Sequence, residues 1–333
     1  MNNEYILSVS VAAYNVEKYI AETLDSFTDD YFKNKIEVLI ITDGATDNTD
    51  NIAQKYVDLY PEIFKLIKKE NGGWGSTLNV GMNIAKGKYF KQLDGDDYFD
   101  KENLKEFVAF LENCDEDLII SPFLTFDDET KEILEGKHFK DINNELLFPT
   151  TIDKLVEDYS QIYMHALCVK TKVLVENQIT IEEKCFYTDE EFVMKIIMCI
   201  KDVNLFNKSI YMYRFGRSGQ SVSISGYEKH YKDRQKVLFK LIDVYTKYSG
   251  NIKLKEFISN KLLGMVISHY DIYLMISKSK QHKKDFMEFD SLLKTTSKYF
   301  YEKTKHVKKI ALLRYTNFAT YGVVRTIKKI KDK

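Results

Sequence analysis

Asp94-Gly95-Asp96-Asp97 sets three carboxylates around one glycine. Residues 87–93 precede them and read as a short buried strand. Tyr98-Phe99-Asp100 and a helix from about Lys101 follow. Carboxylates crowded in this way stay ionised beside a cation, or else take up protons at raised pKa. Hard oxygen ligands favour Mg²⁺ or Mn²⁺ over zinc, and magnesium on one or two carboxylates keeps positions open for phosphate oxygens. The chemistry implied is a metal site for a diphosphate-bearing substrate. The plain alternative is an acidic surface turn, since Asp and Gly are common turn residues.

Elements that alternate in type lead up to this turn. Residues 6–13 form an apolar, β-branched run, a first strand. Helical spacing follows over 17–27, through Ile20, Leu24 and Phe27. Residues 36–42 are nearly continuous in apolar side chains, as parallel strands are. They end at Asp43-Gly44, and 46–59 read as a helix capped by Thr46 or Asp47. Residues 64–68 are a third strand, Asn71-Gly72-Gly73 a turn, and 76–85 a helix stopped by Gly87. Residues 89–93 are the fourth strand. Strand and helix in strict alternation predict an α/β open sheet, whose ligands bind beyond the carboxyl ends of the strands. Asn15, Asp43 and Asp94 each stand just past such an end. Beyond 104 the pattern is less regular. Residues 118–125 read as a strand with Pro122 at an edge or bulge, and 152–159 and 188–200 as helices. Residues 203–213 read as extended, and 214–223 as a polar loop. From Tyr227 onward helical periodicity dominates.

Composition bounds the rest. The chain has 333 residues, 44% hydrophobic and 30% charged, which suits a soluble globular protein. Its net charge of −1 hides a split: residues 227–333 hold 25 Lys+Arg against 10 Asp+Glu, and the remainder is correspondingly acidic. Cys114, Cys168, Cys185 and Cys199 show no CxxC or zinc spacing and read as reduced core thiols. The N-terminus lacks a basic signal region, and no apolar run is long enough to span a bilayer. A cytoplasmic location is expected. The acidic front half and the lack of a recognition motif argue against nucleic acid.

The residues carry a family resemblance. The chain resembles the inverting family 2 glycosyltransferases, which have the nucleotide-diphosphosugar transferase (GT-A) fold. The matching blocks are Val9-Ser10-Val11-Ala12-Ala13-Tyr14-Asn15 with Val16-Glu17-Lys18-Tyr19-Ile20, then Asp43-Gly44-Ala45-Thr46-Asp47-Asn48-Thr49. Asn71-Gly72-Gly73, Asn79-Val80-Gly81, Ala85-Lys86-Gly87-Lys88-Tyr89 and Asp94-Gly95-Asp96-Asp97 continue them. Tyr187-Thr188-Asp189-Glu190-Glu191-Phe192 resembles the family's later acidic motif. The chain departs from the pattern at Ala12, where Pro is usual, at Thr42, where an Asp pair is usual, and at Leu78, often Arg.

The resemblance implies a mostly parallel, Rossmann-like GT-A sheet flanked by helices over residues 1–225. The nucleotide-sugar half covers about 1–100, the acceptor half 101–225, and a helical, basic region 226–333. It implies transfer of a sugar from a nucleotide diphosphate, most often UDP, to a hydroxyl acceptor, with Mn²⁺ or Mg²⁺. The setting would be assembly of a bacterial surface polysaccharide, teichoic acid or glycoprotein glycan on a glycan, lipid-linked or protein-linked acceptor. Asp43 would accept from the nucleobase, with Ala13, Tyr14 and Asn15 around it; the alternative for Asp43 is a helix cap. Gly73, Asn79, Asp94 and Gly95 would line the donor. Asp96 would ligate the metal, with Asp94 or Asp97 nearby. Asp189 would be the base that deprotonates the acceptor, with Glu190 as runner-up; the alternative is a charge placed for the helix dipole. Arg217 would clamp the diphosphate from a closing loop. Trp74 would stack on a sugar or base, or join the core. His165 would face the acceptor or the metal, or be structural. The basic C-terminal tail suits anionic lipid at the inner face of the cell membrane, a polyanionic acceptor, or plain solvation. Two other functions fit less of the pattern. A sugar nucleotidyltransferase would need an N-terminal glycine-rich phosphate loop, which the first strand lacks. A non-catalytic partner subunit would not need Asp94, Asp96 and Asp189.

Overall fold

The computed structural model describes residues 4–134, 148–158, 161–216, 223–276 and 279–331. It divides into two compact units, residues 1–217 and 218–333.

Among the described residues the first unit has twelve strands: β1 (Tyr5–Ala13), β2 (Ile36–Asp43), β3 (Phe64–Lys69), β4 (Gly87–Asp94), β5 (Tyr98–Phe99), β6 (Leu118–Ile120), β7 (Phe123–Asp127), β8 (Ile133–Leu134), β9 (Thr150–Thr151), β10 (Leu167–Lys170), β11 (Asp202–Leu205) and β12 (Tyr211–Phe215). The main sheet runs β3-β2-β1-β4-β10-β6-β11-β9, and a smaller one β5-β12-β7-β8. β3, β2, β1 and β4 are mutually parallel; β10 runs antiparallel to β4 and β6. The order 3-2-1-4 follows from crossover helices Thr49–Leu59 and Trp74–Ile84. Register decides what this sheet can present. Ala13 pairs with Thr42, Ala12 with Asp94, and Asp43 with Lys69. The carboxyl ends of four strands are therefore level, and the polar residues after them share one edge.

At the opposite edge a buried carboxylate pins the same strands. Glu37 of β2 accepts from Ser8 Oγ at 2.6 Å, from the Lys86 N–H at 2.6 Å and from Lys65 Nζ at 2.7 Å. Gly87 differs from its expected role. The helix before it ends at Ile84, with Ala85 as its C-cap, and Gly87 opens β4. A Cβ there would lie 2.5 Å from the Ser8 backbone nitrogen, so close strand approach explains the glycine. The next crossover helix starts at Thr49, after Asn48, rather than at Thr46 or Asp47. Asp47 still serves it by accepting from the Thr49 N–H at 3.0 Å.

Two runs expected as single strands are each split between the sheets. Residues 118–125 become β6 and β7, with Ser121-Pro122 at the corner. Residues 203–213 become β11 and β12. β6 pairs with β11 in one sheet and β7 with β12 in the other, both parallel, so the two chains change sheet together. Proline lacks the N–H that would continue β6, which is why the change falls there. Arg214, expected in a loop, lies inside β12 and is 1% exposed.

The second unit is helical: Ile224–Lys247, Ile252–Met275, Lys280–Thr296, Lys298–Lys303, Lys308–Tyr315 and Tyr321–Lys331. Its core includes His269, fully buried against the rings of Tyr273 and Phe289. Burial and the nearby Arg234 guanidinium hold its pKa well below the usual histidine value. The unfolded chain protonates His269 near the ordinary value of about 6.5, while the folded one resists. Stability is therefore retained above that pH and lost as pH falls below it, by up to about 1.4 kcal/mol per pH unit from this group. Urea melts of the full chain between pH 5 and 8 should show that slope, and His269→Leu should flatten it. An unchanged slope in the variant would assign the acid sensitivity elsewhere.

Candidate active site

The site assembles where β1, β2 and β4 end. The β1 end is Ala13-Tyr14-Asn15. Ala13 is buried and Tyr14 half exposed. Asn15 takes a φ of +51°, which asparagine tolerates better than most residues. Its side-chain oxygen accepts from the Thr46 N–H at 2.8 Å, tying the β1 end to the β2 end.

Asp43 closes β2 and is 2% exposed. One oxygen accepts from Lys69 Nζ at 2.6 Å and the Gly72 N–H at 2.8 Å; the other accepts from the Gly73 N–H at 2.7 Å. The carboxylate braces the glycine turn after β3, and is not a helix cap. Gly73 has a φ of +80° and stands just before the helix Trp74–Ile84. At Gly75 a Cβ would meet the Glu182 carbonyl at 2.1 Å, so at that position the extra glycine permits packing. Asn79 lies on the same helix. Its amide accepts from the Ile181 N–H at 2.7 Å and donates to the Ile181 carbonyl at 2.8 Å. It therefore fastens the segment that leads to Asp189. Leu78 is fully buried, which accounts for an aliphatic side chain there.

The acidic turn follows β4. The Gly95 N–H donates to the Ala12 carbonyl at 2.9 Å, and a Cβ on Gly95 would lie 2.8 Å from that oxygen. Only glycine lets the turn lie so close to β1. Asp94 Oδ1 accepts from the Trp74 indole N–H at 2.7 Å. Trp74 also meets Phe192 edge-on, 6.3 Å between centroids. It thus links the glycine turn, the acidic turn and the helix Asp189–Ile197. Asp97 is 1% exposed, and its oxygens accept from the Tyr211 hydroxyl at 2.6 Å and the Arg214 N–H at 2.7 Å.

Burial, then the neighbouring Asp96 charge, pushes Asp94 up to about 7. The same two causes, with Asp94 added, push Asp97 well above the usual carboxylate range. These acids repel one another where water screens them only in part. The His165 ring completes the group. It sits in a short turn, Met164–Ala166, and a ligand atom from each of Asp94, Asp97 and His165 lies within 4.8 Å of the others. Two carboxylates and an imidazole suit a divalent cation such as Mn²⁺ or Mg²⁺, and the mutual repulsion of the acids is what such an ion relieves. Asp96 contributes charge to this cluster but is not one of the three converging residues.

Asp189 is the first residue of its helix and is exposed to solvent. Its charge reaches both Asp94 and Tyr213, so the later acidic motif is brought to the turn. Glu190 follows it and its charge acts on Tyr163. Glu191 is different: it is fully buried, pairs with Lys195 at 2.7 Å and accepts from the Glu182 N–H at 3.1 Å. Arg217 falls outside the described residues.

Three supporting groups were not singled out by sequence. Tyr211, Tyr213 and Phe123 surround the His165 ring, with centroids 4.6–4.8 Å away. Arg214 donates from Nε to the Asp96 carbonyl at 2.6 Å, from Nη1 to Asp128 at 2.6 Å and from Nη2 to Glu22 at 2.5 Å. Lys91 lies on β4, three residues before Asp94, and is fully buried. Its amine donates to the His165 carbonyl at 2.8 Å and the Leu167 carbonyl at 3.1 Å. Burial pushes its pKa down to about 8. One signal was available for Arg214: arginine is scarce here, five residues against 44 lysines, so an arginine among alternating aromatics stands out.

The profile of the family described as glycosyl transferase family 2 matches residues 8–171. An uncharacterised glycosyltransferase of Haemophilus influenzae is 24% identical over 290 residues, covering 84% of this chain and 88% of that one. The poly(ribitol-phosphate) β-N-acetylglucosaminyltransferase TarS of Staphylococcus aureus is 26% identical over 220 residues, 65% of this chain. This chain spans only 36% of the length of TarS. The crystal structure of TarS residues 1–349 with UDP-GlcNAc superposes with a TM-score of 0.71 at 21% identity, over 97% of this chain and 90% of that one. A mannosyltransferase from Pyrobaculum calidifontis, in complex with GDP-Man and Mn²⁺, gives 0.56 at 15% identity, over 100% and 89%. The profile match starts within β1 and runs through the acidic turn, and the fold is the GT-A fold of these neighbours. Residues 8–171 are a glycosyl transferase family 2 domain, and the chain is a glycosyltransferase.

Proposed function

We propose that the chain transfers a sugar from a UDP-sugar, with inversion, to a hydroxyl of a bacterial surface polymer such as a teichoic acid, using Mn²⁺ or Mg²⁺. The observation that carries this reading is the level edge formed by β1, β2 and β4, with Asp189 brought to it from 95 residues beyond Asp94. TarS, which binds UDP-GlcNAc and whose name gives a poly(ribitol-phosphate) acceptor, supports the donor and the polymer class. The Pyrobaculum enzyme, with Mn²⁺, supports the metal.

Tyr14 covers the base, and Asp43, while bracing the glycine turn, accepts from the imide N–H of uracil. Asp94, Asp97 and His165 would hold the cation, with Asp96 beside them. When bound, the cation neutralises charge on the diphosphate and on the leaving nucleoside diphosphate. Asp189 takes the proton from the acceptor hydroxyl as the oxygen attacks the anomeric carbon opposite the leaving group. Trp74 keeps the base helix and the acidic turn in one arrangement. Calorimetric titration with UDP and GDP, each with and without Mn²⁺, tests the reading. UDP should bind about tenfold or more tightly with the metal than without it, the scale set by charge-assisted contacts to phosphate. Binding indifferent to metal, or preference for GDP, contradicts it.

A further inference from the structure

The helix Tyr321–Lys331 has two faces, and among the described residues one is buried by the fold and the other is exposed. Tyr321 and Val324 are buried, 3% and 6% exposed. The Tyr321 hydroxyl donates to the Tyr273 carbonyl at 2.8 Å, and the Arg325 guanidinium donates to the Ile276 carbonyl. These bonds fix how the helix is rotated. Val323, Ile327 and Ile330 then stand 60%, 50% and 69% exposed. Their spacing of four and three residues stacks them in one stripe along the helix. A single exposed aliphatic is ordinary, but a stripe held outward by the fold is a contact surface.

Charge says what the surface fits. Residues 303–331 contain nine Lys+Arg and no Asp or Glu. The whole second unit, residues 218–333, holds 25 basic against 10 acidic side chains. A phosphate backbone would use the lysines and leave the aliphatic stripe in water. A lipid leaflet with anionic headgroups uses both: acyl chains take the stripe and phosphates take the lysines. The helix is about 16 Å long at 1.5 Å per residue, half the thickness of a hydrocarbon core of about 30 Å. Among the described residues no helix is long and apolar enough to cross a membrane.

We propose that Tyr321–Lys331 lies in the headgroup layer of an anionic membrane, with Val323, Ile327 and Ile330 immersed. The inference is independent of the donor and acceptor named above, and its test does not use them. The full chain is mixed with vesicles of phosphatidylglycerol and phosphatidylcholine, or of phosphatidylcholine alone, and floated through a density gradient. It should float with the anionic vesicles at low salt and far less at high salt. Val323→Ser/Ile327→Ser/Ile330→Ser should reduce vesicle binding about tenfold or more. Its melting temperature should be unchanged, because the three side chains face away from the core. Lys308→Gln/Lys328→Gln should weaken binding to anionic vesicles. The proposal is overturned if the chain fails to float at low salt, or if the triple serine variant floats like the parent. It is also overturned if the parent is a dimer that the triple variant dissociates, since a second copy would then be the occupant.

Discussion

Asp189→Asn is expected to lower turnover by about 10²- to 10⁴-fold, the range of a general base, while leaving UDP binding within about twofold of the parent. The side chain is exposed at the first position of its helix, and Asn matches it in size, so the substitution opens no cavity in the core. A purely structural role would be a charge favouring the helix N-terminus, worth about 0.3–1 kcal/mol, with Glu190 and Glu191 still present to supply it. The two roles therefore predict different results. Loss of the base lowers kcat without moving the melting temperature, whereas loss of a dipole partner moves the melting temperature slightly and leaves kcat alone. Steady-state kinetics with a saturating donor, beside Glu190→Gln made in parallel, separate them. A kcat within threefold of the parent for Asp189→Asn would move the base to Glu190 or remove it from this helix.

Arg214→Met should hurt both stability and rate. The guanidinium is almost wholly buried, and it holds the Asp96 carbonyl while the same residue's N–H holds Asp97. Its two acidic partners, Asp128 and Glu22, are 20% and 48% exposed, so water screens part of what they lose. A cost of about 2 kcal/mol is expected, below the 3–5 of a fully buried pair. The rate should fall by about 10²-fold, because a turn no longer fixed at Asp96 and Asp97 misplaces the proposed cation ligands. Arg214→Lys keeps the charge but not the planar fork, and cannot donate to the carbonyl and both acids in the same geometry. It should recover most of the stability and little of the rate. Chemical denaturation with a donor-hydrolysis assay reads both; equal recovery of both by lysine would make Arg214 a matter of charge alone.

The first hundred residues were legible because hydrophobic period and turn chemistry agree there. β2 is a nearly unbroken apolar run, and Asp43 and Asp94 end, and Asn15 follows, strands whose parallel pairing makes their ends coincide. The acidic turn declared itself by composition. The second hundred were harder. A run such as 118–125 keeps one extended pattern while its two halves join different sheets, and periodicity carries no record of which sheet a strand joins. Pro122 marked the place without saying what happened there. Arg214 was hidden by its neighbours, since Gly216 and the polar residues after it read as a loop. Lys91 was hidden by its type, for a lysine in a strand normally points to solvent. The role of Asn79 depends on Ile181, a hundred residues away, and no local pattern carries such a pairing.

Lys91 also sets a trap for anyone breeding a sturdier form of this enzyme. Its amine is sealed in the interior, faces two carbonyl oxygens, aromatic rings and the Cys168 thiol, and is disfavoured as a charge by that burial. A linear apolar side chain would fill the same space without the desolvation penalty. Selection by heat alone would therefore reward its removal, and with it the tether that orients His165 toward the acids. Survivors of such a screen would be tougher molecules with a looser grouping of His165 and the acids, the usual conflict between durability and work located at one side chain.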